Sequence, residues 1–129
     1  MGAWGKLPWD NDSAADWFGD LFEMTKLAEH VEETLKSDVE DSHEEIRAAA
    51  SVLLFLGRVY IWPVHDLDRH LALAADRLEE VSRVDVVAES PELVEEILTE
   101  IHELRSRIKT SGASPPQPPA AKEWWKFWK

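Results

Sequence analysis

His65, Asp66, Asp68 and His70 place four metal-capable side chains within six residues, the densest such cluster in the sequence. Asp66 and His70 stand four apart, so on a helix they share a face, a spacing that can chelate a divalent cation. Two ligands do not complete a site. A di-metal carboxylate bundle needs Glu-x-x-His pairs on two helices plus further inward glutamates, and only Glu40 with His43 has that spacing. Asp10, Asn11 and Asp12 have the composition of a calcium-loop opening. The positions where an EF-hand takes its glycine and its last glutamate hold Ala15 and Leu21, however, so helix capping accounts for the triplet. Neither a Gly-x-Ser-x-Gly elbow nor a phosphate-cradling glycine loop is present. No cysteine is available for thiol catalysis or zinc. His30 and His102 fall beside glutamates on mainly charged faces, as surface histidines do. The reading is a solvated helix start with local ion pairs around His65 to His70, with no catalytic residue, no cofactor-binding residue and no metal site.

The eight residues from Lys122 to Lys129, KEWWKFWK, are a different kind of signal. Trp124, Trp125, Phe127 and Trp128 each gain roughly 1.5–3 kcal/mol when fully buried, which makes them the candidate partner contact. The available surfaces are a lipid headgroup region, another protein, or the chain's own acidic body. Residues 1–121 carry 11 basic and 25 acidic side chains, net −14, whereas residues 122–129 carry three lysines against Glu123, net +2. Between body and tail lies SGASPPQPPAA, residues 111–121. Such a proline-rich linker is expected to be disordered, and at roughly 3.1 Å per residue it reaches about 34 Å. Prolines 115, 116, 118 and 119 break helical continuity, so the tail is expected to be a mobile, separable element.

The whole chain carries 26 acidic against 14 basic residues, net −12. That balance opposes nucleic-acid binding, which needs clustered Lys and Arg, and favours a basic partner. A chain of 129 residues has room for one ordinary core. Its start lacks the charged-then-apolar pattern of a secretory signal, and Lys6 stands where a myristoylation signal takes Ser or Thr. The expected location is the cytoplasm.

The elements that must position these groups follow from hydrophobic spacing. From Ile46 to Trp62 the sequence IRAAASVLLFLGRVYIW is apolar on nearly every side, which predicts a central helix at 43–62 wrapped by the others. Ser42 and Glu45 form its capping box and Pro63 ends it. Its uncharged run, Ala48 to Gly57, is about half the roughly 20 residues of a membrane span. A first helix at 12–35, capped by Asn11 or Asp12, is expected to bury Trp17, Leu21, Met24, Ala28, Val31 and Leu35. A third at 66–87, capped by Asp66, buries Leu67, Leu71, Ala74, Leu78 and Val81. The fourth, at 91–110, has Ser90 as cap, Pro91 at its first position, and a stripe of Val94, Ile97, Ile101, Leu104 and Ile108. No strand period appears, so the fold class is all-α: a four-helix bundle-like single domain of residues 1–110. Leu53, Leu54 and Leu56 are expected in its core. Trp4, Trp9 and Trp17 are expected to pack as an ordered N-terminal turn.

The opening MGAWG, followed by WDNDSAADWFGDL, carries a family pattern in Gly2, Trp4, Gly5, Trp9, Asn11, Asp12, Ala15, Asp16, Trp17 and Leu21. It resembles the bacterial domain of unknown function 4259 family over about residues 1–110. AAASVLLFLG and the later SPEL are similar to the family in pattern. Lys6, Leu7 and Pro8 depart from its small glycine-containing turn, and Trp9 stands where phenylalanine is usual. The family has no assigned activity, so the resemblance implies no chemistry, and the aromatic tail lies outside its pattern. The function expected is that of a non-enzymatic, acidic helical binding or regulatory protein with a protein partner. One concrete form neutralises a basic bacterial partner, as an immunity protein does a cationic toxin. The alternative is a peripheral membrane protein held by its Trp/Lys tail. A metal-dependent enzyme using His65, Asp66 and His70 comes third.

Overall fold

The computed structural model describes residues 5–109. Within them the chain forms α1 (Asp12–Thr25), α2 (Leu27–Leu35), α3 (Val39–Leu56), α4 (Val64–Ser82), α5 (Asp85–Ala88) and α6 (Pro91–Ser106), with no strand. The all-α expectation holds. Six helices replace four because the first expected helix is broken once and the third sheds a short final turn.

The enclosed element is α4, not α3. It buries Leu67, His70, Leu71, Ala74, Ala75, Leu78 and Val81, and it packs chiefly against α6 and α3. The apolar stripe read for this helix is buried in full. By contrast α3 buries Ile46, Ala49, Ala50 and Leu53 and leaves Phe55 72% exposed. Leu54 and Leu56 are half-buried against the core. An apolar circumference therefore does not require wrapping on every side; α2, α4 and α6 meet α3 and leave Phe55 outward.

The break in the first helix falls at Lys26, which is left-handed (φ 54°, ψ 36°). Such a conformation costs a residue with a Cβ about 1–2 kcal/mol. It redirects the chain so that Phe22 and Ala28 both enter the core, and Lys26 N–H still reaches the Phe22 carbonyl at 3.0 Å. The buried side of α1 is consequently rotated from the expected stripe. Trp17 is 61% and Met24 78% exposed, so the expected burial of both is corrected. Among the described residues the Trp17 ring meets Phe18 edge-on, at 5.3 Å. Trp9 is half-buried with the Arg58 guanidinium 5.3 Å from its ring centre, and Trp4 lies outside the described residues.

Helix ends depart from the sequence reading where tertiary groups supply the caps. Asn11 caps α1 by accepting the Ala14 N–H at 2.8 Å. Asp38 caps α3 by accepting from Asp41 at 3.0 Å, ahead of the expected Ser42–Glu45 box, and Ser42 becomes a kink inside the helix. The helix stops at Leu56 instead of running to Pro63. A Cβ on Gly57 would lie 2.5 Å from the Leu53 carbonyl oxygen, so that close approach needs glycine. Just past α6, Arg107 donates to the carbonyl of Leu53 (3.0 Å), which also accepts the Gly57 N–H at 2.7 Å, and to that of Gly57 (3.3 Å), whose own helical donor the early stop removes. Pro63, not Asp66, precedes the first residue of α4, and Asp66 instead pairs with Arg69 in the first turn. Extended Val84 separates α4 from α5. Ser90 and Pro91 open α6 as expected. An Arg47–Glu100 fork (3.1 and 2.6 Å) ties α3 to α6.

Leu53→Ala is expected to cost about 2–5 kcal/mol, whereas Phe55→Ala should stay within about 0.5 kcal/mol of the parent. Urea unfolding of both variants measures the contrast, and equal losses would contradict the one-sided burial of α3.

Candidate functional site

An open cleft of about 560 Å³ lies between α1, the start of α2 and the α3–α4 connection. Its size falls within the roughly 300–1,000 Å³ of ligand sites. Ala15, Gly19 and Phe22 come from α1, Ala28 from α2, and Val59 to Pro63 from the connection, with Val64 opening α4. The charged residues on its lining are Glu23, Glu29 and Asp66 against Lys26. Tyr60 and Val64 are 57% and 65% exposed, so apolar surface is presented to solvent at the mouth.

Among the described residues the two non-glycine positions with positive φ are Lys26 (54°) and Tyr60 (75°), and both line this cleft. Strain of that kind costs on the order of 1–3 kcal/mol per residue and persists where surrounding packing over-determines it. At Tyr60 the determining contacts follow at once in the chain, since Ile61 and Trp62 turn into the core and become buried.

Trp62 joins the cleft to the interior. Its ring meets Phe22 edge-on at 5.0 Å, and its indole N–H donates to Nδ1 of His70 at 3.0 Å. The other imidazole nitrogen, Nε2, lies 2.8 Å from Oε1 of Glu32. An indole nitrogen can only donate, so Nδ1 must present its lone pair and Nε2 carries the hydrogen toward Glu32. Oε2 of Glu32 accepts from Arg69 and from Lys36, each at 2.8 Å. Arg69 first, then Lys36 and His70, hold the Glu32 carboxyl well below the usual carboxylate range. Arg69 also reaches Asp66 on the cleft rim at 2.8 Å. A continuous chain of polar contacts therefore runs from Trp62 to Asp66.

The sequence cluster separates under this geometry. His65 is exposed, Asp66 pairs with Arg69, and Asp68 accepts the Lys109 N–H at 3.4 Å. His70 is 1% exposed, which corrects its reading as part of a solvated helix start. Among the described residues no three His, Asp or Glu side chains converge as a metal cage requires. His30 and His102 are on the surface. Trp124, Trp125, Phe127 and Trp128 lie outside the described residues, as does the linker. Sequence reasoning missed Glu32, Trp62 and Tyr60. His70 itself was legible, because it falls three residues after Leu67 and four before Ala74, on the buried stripe.

Fold and site together define an acidic all-α domain with an apolar cleft lined by Trp62, which is hydrogen-bonded to buried His70 and through it to half-buried Glu32. The protein belongs to the family described as a domain of unknown function (DUF4259), whose family model matches residues 2–111. No curated protein and no solved structure matches it. No helix among the described residues is long and apolar enough to cross a membrane.

Trp62→Phe removes the donor to His70 and should cost about 1–3 kcal/mol through the orphaned buried acceptor alone. Glu32 acts through pH. Its folded pKa is depressed, so its contribution is present above the unfolded carboxylate value of about 4.3 and is lost as pH falls below it. Glu32→Gln should therefore lower the urea midpoint near neutral pH, and the gap to the parent should shrink as pH drops from about 5 to about 3. A gap independent of pH would remove Glu32 from this role.

Proposed function

We propose that the protein is a non-enzymatic binding module that takes up a basic, aromatic-bearing polypeptide segment in the cleft beside α1. The observation that carries this reading is the composition of the cleft, an apolar interior under Tyr60 and Trp62 with three carboxylates against one ammonium on its lining. Apolar walls favour aromatic side chains, and the carboxylates favour Lys or Arg between them. The net charge of −12 would steer a cationic partner toward the domain and raise its association rate. Anionic lipid is repelled by the same charge, which ranks membrane attachment through the tail second. His70 supports the non-enzymatic reading because both ring nitrogens are engaged in structure.

Gly19 supplies the test, since a Cβ there meets nothing within 4 Å while the residue lines the cleft. Gly19→Leu should occupy the cleft and leave the fold intact, with a gain of up to about 1 kcal/mol in helix propensity. The probe is a synthetic peptide of alternating lysine and tryptophan. Titrated by NMR into full-length protein carrying Trp124→Ala, Trp125→Ala, Phe127→Ala and Trp128→Ala, it should shift the amides of Phe22, Ile61 and Trp62. Adding Gly19→Leu should weaken binding at least tenfold. Equal binding with and without Gly19→Leu would refute the cleft as the site. Flotation of the parent with neutral lipid vesicles, lost with the four tail substitutions, would promote the membrane reading instead.

A further inference from the structure

The cleft lies at the end of the bundle where the described chain stops. The Lys109 N–H donates to Asp68 Oδ1 at 3.4 Å, and Asp68 stands two residues beyond Asp66 on α4, which lines the cleft. Two residues along one helix are separated by no more than about the helix's own 10–12 Å width. A second tether places the same end, because Arg107 donates to the carbonyls of Leu53 and Gly57, and Gly57 begins the connection that carries Tyr60 and Trp62. From Lys109 the residues 110–121 lead to Lys122, and twelve residues extend about 37 Å at roughly 3.1 Å each. The reach exceeds that separation more than twofold, about 37 Å against roughly 15 Å.

Chemistry matches position. Residues 122–129 carry four large aromatic side chains, three lysines and one glutamate, the apolar and cationic groups that complement the lining. We propose that this segment, KEWWKFWK, docks back into the cleft of its own chain, so that the protein is self-occluded until a competing basic segment displaces its tail. This inference rests on the cleft being a receptor for basic aromatic segments. A short tether holds the tail near its site at an effective concentration of about millimolar, which an outside ligand must overcome.

The test titrates a synthetic KEWWKFWK peptide into two full-length proteins, the parent and the chain with Trp124, Trp125, Phe127 and Trp128 replaced by Ala. Cleft amides of Gly19, Phe22, Ile61 and Trp62 are followed by NMR at two protein concentrations, with thermal melts confirming that both chains fold alike. Self-docking predicts that these amides already differ between the two proteins before peptide is added, independently of concentration. It also predicts that peptide affinity for the parent is at least tenfold weaker. Equal affinity with coincident cleft signals would overturn self-docking while leaving the cleft as a receptor. Parent signals that change with protein concentration would place the tail in a second copy and overturn docking in cis. No peptide response at the cleft of either protein would overturn both this inference and the function it rests on.

Discussion

His70 sits inside an otherwise apolar core with Trp62 on one ring nitrogen and Glu32 on the other, and the three residues come from three separate segments of the chain. A buried polar ring left without partners costs on the order of 2–7 kcal/mol, so both contacts must form for α4 to lie where it does. A slip of one residue in α4 would turn His70 by about 100° and orphan both nitrogens. The arrangement consequently fixes the rotation of α4, the face of α2 that carries Glu32, and the inward turn of the α3–α4 connection. Because Trp62 also lines the cleft and stacks edge-on against Phe22, the same contacts set the cleft lining.

The cleft depends equally on two helix ends that local sequence would not have placed. At Lys26 the chain accepts a left-handed residue, which swings α1 away from α2 and opens the space between α1 and the connection. At Gly57 the close approach to Leu53 and the donors of Arg107 stop α3 early, releasing six residues to form the opposite wall. Arg77 acts similarly at the other end of the bundle, donating to the carbonyls of Leu35 and Ser37 where α2 finishes. Long-range arginines thus add side-chain donors at the C-terminal ends of α2 and α3, beside the backbone caps of Lys36 and Gly57. Each couples a helix terminus to a distant element, so the connections hold their shape without regular structure.

How much could be read in advance follows from which forces are local. The stripe of α4 and the Ser90–Pro91 start depend on spacing and capping within a few residues and stand as read. By contrast α6 buries Ile97, Ile101 and Leu104 of its stripe, leaves Val94 half-buried and ends at Ser106, before Ile108. The capping triplet at the chain start resolves onto Asn11. The break at Lys26 has no glycine or proline to announce it, because its cost is met by the burial of Phe22 and Ala28. The early end of α3 depends on Arg107, fifty residues away from Gly57. Of the site, His70 was visible as a metal-capable residue and misplaced on the surface. Its position on the apolar stripe of α4 was the available correction. Trp62 looked like the last residue of a helix, and its inward turn required the positive φ of Tyr60, a conformation that a tyrosine in sequence does not signal.

The state of one imidazole tests this account most directly. If Trp62 donates to Nδ1 and Nε2 faces Glu32, long-range proton–nitrogen NMR of the full-length protein near neutral pH should show His70 with a bare Nδ1 and a hydrogen on Nε2, together with a Trp62 indole N–H strongly protected from solvent exchange. A His70 ring with its hydrogen on Nδ1, or a Trp62 indole that exchanges as freely as that of exposed Trp17, would contradict the Trp–His–Glu chain on which the core and the cleft lining both depend.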